Sequence, residues 1–296
     1  MSDKKIGSIA MLITVIIWGV SFVNIKVAVA VLPPMTLGFL RFLLASFLLF
    51  IFVKVKKQNL FINRKDYYLL VIAGAIGITA YFYFENNGVK ITTASIASLV
   101  IASIPVLSTI AESVIYKTKI TFKKWMCLVL SIIGVLLIVG FDFKELVSSG
   151  FARGYIMMFM AAITAVIYAV VTKPLFKKYN QLSIVFYQSL IGTIFFIPFA
   201  AIEKTNWSLV DSKIILNVLA LGVFASAMAF YLNLVGLKHL GISRSAVYLN
   251  IIPIVSVVVS MIFLGETITL MQLIGGILVI ISVYLINKVD VKHLGV

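Results

Sequence analysis

Ten long apolar segments follow one another along this chain and leave little sequence between them. A helix that crosses a bilayer needs roughly 20 mainly apolar residues, because in hydrocarbon every backbone N–H and C=O must find its partner inside the segment. Of the 296 residues, 62% are hydrophobic and only 12% are charged, which is far from the balance of a soluble domain. We therefore predict an all-α integral membrane protein with ten transmembrane helices, at residues 6–31, 35–53, 67–85, 92–116, 125–141, 154–172, 183–202, 214–235, 245–264 and 270–286.

The basic residues are spread unevenly over the predicted loops. With the N-terminus placed in the cytoplasm, eighteen of the 25 Lys and Arg residues lie on the inner side, five lie on the outer side, and Lys26 and Arg41 lie within segments. This asymmetry is the one that sets the topology of membrane proteins. We predict a multi-pass protein of the plasma membrane with both termini cytoplasmic. The net charge of +15 is attributed to topology and anionic lipid rather than to nucleic acid.

The chain also aligns with itself when it is shifted by 147 or 148 residues. Residues 7–26 then lie over residues 154–173, Tyr83 lies over Tyr231, and Pro105 lies over Pro253. Because each repeat holds five segments, an odd number, the second repeat must enter the membrane from the opposite side. The prediction is two inverted five-helix repeats, residues 1–148 and 149–296, in one membrane domain. Inverted repeats are typical of secondary transporters, which expose a central site alternately to the two sides.

Several stretches carry a family resemblance. Residues 251–286, "IIPIVSVVVSMIFLGETITLMQLIGGILVIISVYLI", resemble the final helix pair of EamA-type permeases in the drug/metabolite transporter superfamily. Residues 16–28, "IIWGVSFVNIKVA", resemble the opening helix of that family, and residues 39–45, "FLRFLLA", its second helix. The resemblance spans the whole chain. One departure is that Gly265-Glu266 of the second half aligns with Lys117-Thr118 of the first half. A role for Glu266 therefore does not transfer to the aligned residue of the first half.

The resemblance implies two inverted five-helix bundles around a central cavity, with the fifth and tenth helices peripheral. It also implies movement of small metabolites, commonly amino acids or related compounds, or of toxic organic molecules. Together with the repeats, it leads us to predict a secondary active transporter that moves an amino acid, amine or related compound across the plasma membrane by alternating access, in the direction of export. The alternative is a membrane sensor or assembly protein that has the same fold and does not transport.

The sequence gives little support for an enzymatic activity. It contains no phosphate-binding loop, no H-E-x-x-H zinc motif and no G-x-S-x-G serine elbow. No enzymatic activity, cofactor or metal is therefore expected. The expected partners are a small-molecule substrate, a coupling proton or counter-substrate, and the lipid bilayer. Nucleic acid is not expected as a partner, and the formation of a homodimer is left open.

Polar side chains inside the predicted segments are the candidate site residues. Each costs about 2.5 to 3.5 kcal/mol at the centre of a bilayer if charged, so it needs a partner, a water-filled cavity or a function. The predicted substrate-binding residues are Trp18, Asn24, Arg41, Tyr81, Glu85, Tyr168, Gln188, Tyr231, Asn233, Tyr248 and Asn250. On the first helix Thr14, Ser21 and Asn24 share one stripe. This stripe is compatible with a cavity wall or with helix packing through small polar residues. Tyr248 and Asn250 stand about 200° apart around a helix axis, so both cannot point squarely into one cavity.

Arg41 leaves three interpretations open. It lies six residues inside its segment, which is too deep for an ordinary loop arginine and shallow enough to reach the interface. A buried ion pair, a substrate contact and a side chain that extends outward are all compatible with that position. Glu112, near the inner end of the fourth segment, is predicted to pair with a loop lysine.

Pro105 and Pro253 occupy corresponding places in the fourth and ninth segments. Each removes a helix hydrogen bond and is expected to kink its helix. Such kinks separate a moving gate from a scaffold, or they are static bends; the sequence leaves both interpretations open.

Glu85 stands in the stretch "FENNGVK" and interrupts an apolar run that begins at Tyr67. We predict that it lies at the outer end of the third helix, one turn beyond Tyr81. A carboxylate at a helix C-terminus faces the negative end of the helix dipole and needs a nearby cation. Lys26, Arg41 and Lys90 are predicted to lie in the same outer half. Glu85 is therefore an interfacial acid paired with a local base, or a site for a substrate cation or a proton.

Overall fold

The computed structural model describes residues 3–117, 121–139, 151–240, 245 and 248–293. Within these residues every regular element is helical. The α-helices are α1 Asp3–Val29, α2 Pro34–Val55, α3 Tyr67–Ile72, α4 Tyr81–Ile91, α5 Ala94–Ile101, α6 Ile104–Tyr116, α7 Phe122–Val139, α8 Phe151–Thr172, α9 Gln181–Ile202, α10 Ser212–Ala220, α11 Ala229–Leu240, α12 Ile251–Leu264 and α13 Leu270–His293. The side chain of Glu112 and the residue Thr118 lie outside the described part of the chain, so the ion pair predicted for Glu112 stays a prediction.

Seven helical spans of the described residues are long and apolar enough to cross a membrane. They are Lys4–Val29, Pro34–Val55, Arg64–Ile91, Ala94–Ile115, Phe151–Lys177, Gln181–Ile202 and Ser212–Leu240. Three shorter apolar helices accompany them, Trp125–Ile138, Ile251–Leu264 and Leu270–Leu285. The prediction of an all-α, multi-pass membrane protein is confirmed, whereas the count of ten spanning helices stays a prediction.

The predicted end of the third segment at Glu85 is wrong, because the helix continues to Ile91. The two residues after Glu85 are asparagines, whose amides find partners inside the bundle. Asn86 Nδ2 donates to the carbonyl oxygen of Pro34 over 2.9 Å, and Asn87 Nδ2 donates to that of Tyr83, one turn back, over 2.7 Å. With both Nδ2 donors satisfied, the polar run does not end the helix. Glu85 therefore lies inside the helix and not at its C-terminus.

The fourth segment is interrupted next to its proline. Helix α5 ends at Ile101 and α6 begins at Ile104, with Pro105 in the first turn of α6. Proline is tolerated in a first turn because the N–H that it lacks has no intrahelical partner there. Pro253 occupies the first turn of α12 in the same way.

Two π-helical segments interrupt the long spans at corresponding places. They cover Ala73–Ala80, between α3 and α4, and Leu221–Met228, between α10 and α11, and their starting residues are 148 positions apart (221 − 73). A Cβ atom at Gly74 would lie 3.1 Å from the carbonyl oxygen of Gln188, and one at Gly222 would lie 3.1 Å from that of Arg41. The wide turns therefore pack closely against α9 and α2. π-helical turns are rare and are often found at functional sites.

Helices α2 and α9 run antiparallel, so the end of α2 and the start of α9 meet at one end of the bundle. At one end, Ser183 Oγ donates to the Asn59 carbonyl over 2.9 Å and Tyr187 OH to that of Leu60 over 2.9 Å. We call this the basic end, since its loops and helix termini carry Lys54, Lys56, Lys57, Arg64, Lys65, Lys173, Lys177, Lys178 and Lys238. The far end holds the start of α2 at Pro34, the start of α5 at Ala94, and Glu203 after α9.

Helices α7 and α13 pack against each other through two glycines. A Cβ atom at Gly134 would lie 2.7 Å from the carbonyl oxygen of Gly275, and one at Gly275 would lie 2.5 Å from that of Gly134. Close approach of two backbones through small residues is the usual way in which membrane helices associate. The outer faces of the pair expose large apolar side chains, among them Ile132 and Ile277.

Candidate functional site

A cavity of about 330 Å³ lies inside the bundle. Nine of the thirteen residues singled out from the sequence line it, namely Trp18, Arg41, Tyr81, Glu85, Pro105, Tyr168, Asn233, Asn250 and Pro253. They come from α1, α2, α4, α6, α8, α11 and α12 and from the turn before α12, so residues far apart in sequence meet at one site. Their role in binding a substrate stays a prediction.

The other four predicted residues do not line this cavity. Gln188 lies one layer behind it, where it accepts a hydrogen bond from Tyr168 OH over 2.7 Å and donates to Thr172 Oγ1 over 3.0 Å. Tyr231 and Tyr248 pack against apolar clusters, and Asn24 is half-buried on α1. Tyr248 does not reach the cavity because it stands on a different side of the helix axis from Asn250, which lines the cavity.

Glu85 is buried, with 5% of its surface exposed. Its Oε1 accepts a hydrogen bond from Tyr81 OH over 2.8 Å, whereas Oε2 has no hydrogen-bond partner among the described residues. Lys26, which the sequence offers as a partner, instead donates to the carbonyl oxygens at the end of α4, those of Val89 at 2.9 Å and Lys90 at 3.1 Å, and to that of Thr92. In the described part of the chain, therefore, Glu85 is not an interfacial acid with a local base.

Arg41 is also buried, with 2% of its surface exposed, so it does not extend outward to the interface. Its Nε donates to Ser226 Oγ over 2.9 Å, and its guanidinium carbon lies 4.3 Å from the centroid of the Phe82 ring. That distance allows a cation–π contact, which partly replaces the water lost on burial. Within the described residues Arg41 Nη1 has no hydrogen-bond partner. Ser226 belongs to the second π segment, which thereby positions the guanidinium.

The two buried charges face one cavity without a direct ion pair between them in the described structure. They are close enough to interact electrostatically. Among the residues that the structure describes, Arg41 Nη1 remains a free donor and Glu85 Oε2 remains a free acceptor. Leaving a buried polar atom unsatisfied costs free energy, more so when the group is charged, so such atoms call for a specific explanation. Both residues line the same cavity.

Several aromatic side chains line the cavity together with this pair. Trp18 and Phe230 meet edge to face with ring centroids 5.5 Å apart, and Trp18 Nε1 donates to the Ala225 carbonyl over 3.1 Å. Phe82 and Tyr168 line the same space. A largely apolar wall with a few placed polar groups is the common composition of small-molecule sites. Phe82, Phe230 and Ser226 were missed by the sequence reasoning, because neither an apolar ring nor a lone serine stands out in an apolar segment.

The cavity extends from the two charges toward the basic end, where Thr172, Lys173 and Phe176 line it. Toward the far end it is closed, since Asn86, Val89 and Ala94 are fully buried. Among the described residues, the cavity lining thus reaches toward the basic end and stops short of the far end.

A polar cluster holds the loops together at the basic end. Lys178 Nζ contacts both carboxylate oxygens of Asp66, at 2.8 and 3.1 Å, and Tyr179 OH donates to Asp66 Oδ2 over 2.5 Å. The hydrogen bond to Asp66 raises the pKa of Lys178, and the same carboxylate raises the pKa of Tyr179. The cluster joins the segment before α3 to the segment before α9.

Comparisons with known proteins bear on this site. The model of the EamA-like transporter family matches residues 5–140 and residues 152–288. The chain belongs to the EamA-like transporter family. That family is part of the drug/metabolite transporter superfamily, so the resemblance seen in the sequence is confirmed.

Two relatives and one solved structure are similar over nearly the whole chain. An "Uncharacterized transporter" of Archaeoglobus fulgidus is 27% identical over 95% of this chain and 98% of its own. A "Probable terminal-alkyne amino-acid exporter" of Streptantibioticus cattleyicolor is 27% identical over 94% of this chain and 92% of its own. A solved structure titled "Crystal structure of protein" has a TM-score of 0.69 at 15% identity, covering 98% of this chain and 99% of that one. The relatives place this chain among membrane transporters, and the solved structure shares its fold.

Proposed function

We propose that the protein is a secondary active transporter that exports a small amino acid, or a closely related amino compound, across the plasma membrane by alternating access. The observation that carries the proposal is that Arg41 and Glu85 line one cavity and that each keeps a buried atom without a partner in the described structure, Arg41 Nη1 and Glu85 Oε2. A zwitterion matches both atoms. Its carboxylate accepts from the guanidinium, and its ammonium group donates to the glutamate.

The size of the cavity favours a small metabolite. Its volume of about 330 Å³ is near the lower limit of small-molecule sites, which hold roughly 300 to 1,000 Å³. The apolar part of the substrate rests against Trp18 and Phe230. The relative named as an amino-acid exporter adds support for this class of substrate and for the direction of transport.

Alternating access is supported by signs of duplication. The family model matches each half of the chain, and the two π segments start 148 residues apart. Contacts repeat as well: a Cβ at Gly88 would clash with Met158, and one at Gly236 would clash with Met11. The offsets are 148 between the glycines (236 − 88) and 147 between the methionines (158 − 11). We propose two inverted five-helix repeats, with ten transmembrane helices, that rock about the cavity.

The charge distribution supports an orientation. Loops rich in Lys and Arg stay in the cytoplasm, so the basic end is assigned to the cytoplasm and both termini with it. The cavity is then continuous with the cytoplasmic side in this conformation. An exporter takes up its substrate in such a state.

Counterflow in proteoliposomes tests the proposal. Vesicles that contain the purified protein are loaded with one unlabelled compound, and uptake of the same labelled compound is followed. We expect exchange of apolar and aromatic α-amino acids, and much weaker exchange of the corresponding amines without a carboxylate and acids without an amine. Protein-free vesicles and the double variant Arg41→Gln/Glu85→Gln serve as controls. If no compound of a broad amino-acid, amine and drug panel is exchanged, the sensor or assembly alternative takes its place.

A further inference from the structure

Glu203 binds the start of a helix that belongs to the other half of the chain. Its Oε1 accepts from the backbone N–H of Met35 over 3.1 Å, and its Oε2 accepts from the N–H of Thr36 over 2.7 Å and from Thr36 Oγ1 over 2.9 Å. Helix α2 has no capping side chain of its own, because its N-cap position is Pro33. The carboxylate from residue 203 therefore supplies the missing cap across the two halves.

Glu266 makes the same set of bonds to a second helix of the first half. Its Oε1 accepts from the N–H of Ala94 over 2.8 Å, and its Oε2 accepts from the N–H of Ser95 over 2.9 Å and from Ser95 Oγ over 2.7 Å. Lys26 is close enough to Glu266 to interact with it electrostatically. We call each set of three bonds, centred on Glu203 or on Glu266, a carboxylate clasp.

Both clasps lie at the far end, where the cavity is closed. Each one joins an acid of residues 149–296 to two backbone N–H groups and one hydroxyl of residues 1–148. Bonds to a charged acceptor are stronger than neutral ones, and a negative charge at a helix N-terminus is further favoured by the helix dipole. No ligand is needed to complete either clasp. Their position and chemistry fit a closure between the two halves better than a binding site.

We propose that Glu203 and Glu266 form the outer gate of the transporter. Both clasps are closed while the cavity is continuous with the basic end, and both open when the cavity becomes continuous with the far end. This inference rests on the alternating access of the proposed function and is independent of the substrate. Weakening a clasp destabilises only the conformation that contains it. The population that is open at the far end should then rise, by roughly 10-fold for each clasp.

Thiol accessibility measures this population. Cys127 is the only cysteine of the chain, so Cys127→Ser gives a cysteine-free background. Ser21 lines the cavity and is replaced by cysteine as the reporter. A membrane-impermeant maleimide is applied to one side of sealed vesicles and then, in a parallel sample, to the other side. Labelling through the far end reports the open outer gate.

We expect Glu203→Gln and Glu266→Gln each to speed labelling through the far end about 10-fold, and the double variant to speed it more than either. Asp211→Asn is the matched control. Asp211 Oδ1 also accepts from a helix N-terminal N–H, that of Ile214 over 2.8 Å, but within its own segment. Its removal should leave the sidedness of labelling unchanged. Glu203→Asp and Glu266→Asp keep the charge and serve to separate loss of a clasp from misfolding. Misfolded protein is recognised by rapid labelling from both sides.

The outcomes separate the two proposals. If the wild-type reporter is labelled from both sides but the glutamine variants behave like Asp211→Asn, the halves alternate and the gate assignment is overturned. If the reporter is labelled through the basic end only, in the wild type and in every folded variant, alternating access itself is overturned. A selective rise in labelling through the far end supports the gate.

Discussion

Replacing Glu85 by glutamine tests the binding of the substrate ammonium group most directly. The amide oxygen of the introduced glutamine can still accept the hydrogen bond that Tyr81 OH makes to Oε1 over 2.8 Å. The change therefore keeps this hydrogen bond and removes the negative charge of the carboxylate, whose Oε2 has no partner in the described structure. A hydrogen bond to a charged group contributes about 1.5 to 3 kcal/mol, which corresponds to about 10- to 140-fold in affinity.

The assay is the concentration dependence of counterflow. We expect the half-saturation concentration of an exchanged amino acid to rise about 10- to 140-fold in Glu85→Gln. For a substrate analogue that has the carboxylate but no ammonium group, the half-saturation concentration should be the same in Glu85→Gln as in the wild type. Wild-type transport should also depend on pH if Glu85 binds a proton during the cycle, and the variant should lose that dependence.

Stability must be followed in parallel, because Glu85→Gln leaves the buried Arg41 without its compensating charge. Removing one of two buried opposite charges destabilises a protein, by up to about 3 to 5 kcal/mol where the two are directly paired. The double variant Arg41→Gln/Glu85→Gln has neither charge and should regain part of that loss in thermal unfolding. An unchanged half-saturation concentration in folded Glu85→Gln, at every pH, would refute the role assigned to this carboxylate.

Two further predictions concern packing and the basic end. Gly275→Ala should destabilise the protein by about 1 to 3 kcal/mol, since the new Cβ would lie 2.5 Å from a backbone oxygen of α7 that cannot turn away. Gly276→Ala is the control in thermal unfolding, because its Cβ would meet the flexible side chain of Leu99 at 2.6 Å and should cost less. Asp66→Asn should abolish an alkaline loss of stability. The raised pKa of Lys178 means that this contact stabilises the fold fully at neutral pH and is lost as the pH rises through the folded-state pKa. Equal alkaline loss in wild type and Asp66→Asn would contradict this.

The boundaries of the third and fourth segments show where sequence reasoning succeeds and fails. Pro105 predicts a kink in the fourth segment, and the helix is interrupted beside it, between Ile101 and Ile104, because proline acts locally on its own helix. Glu85 was predicted to end the third helix, since hydropathy falls there. The helix continues because Asn86 finds a partner in Pro34, 52 residues away in sequence. A local pattern of hydropathy does not show a partner that lies so far away in sequence.

The candidate site shows the same division. Arg41, Glu85 and Trp18 stand out in the sequence because polar or large amphipathic groups are costly within apolar segments. Which of their atoms remain without a partner depends on Ser226 and Tyr81, whose contacts are fixed only by packing. The offset of 147 residues between the halves places Gln188 at the position of Arg41 (188 − 41), which predicts Gln188 at the cavity. It lies instead behind Tyr168.

The sequence by itself determines that the protein lies in the membrane, how its apolar segments are spaced and to which family it belongs. These properties are local, because hydrocarbon requires each helix to satisfy its own backbone. The tertiary structure alone decided that Arg41 and Glu85 share one cavity, that Glu85 lies within a helix, and that Glu203 and Glu266 cap helices of the other half. Those contacts join residues up to 172 positions apart, and side-chain packing determines which of them meet.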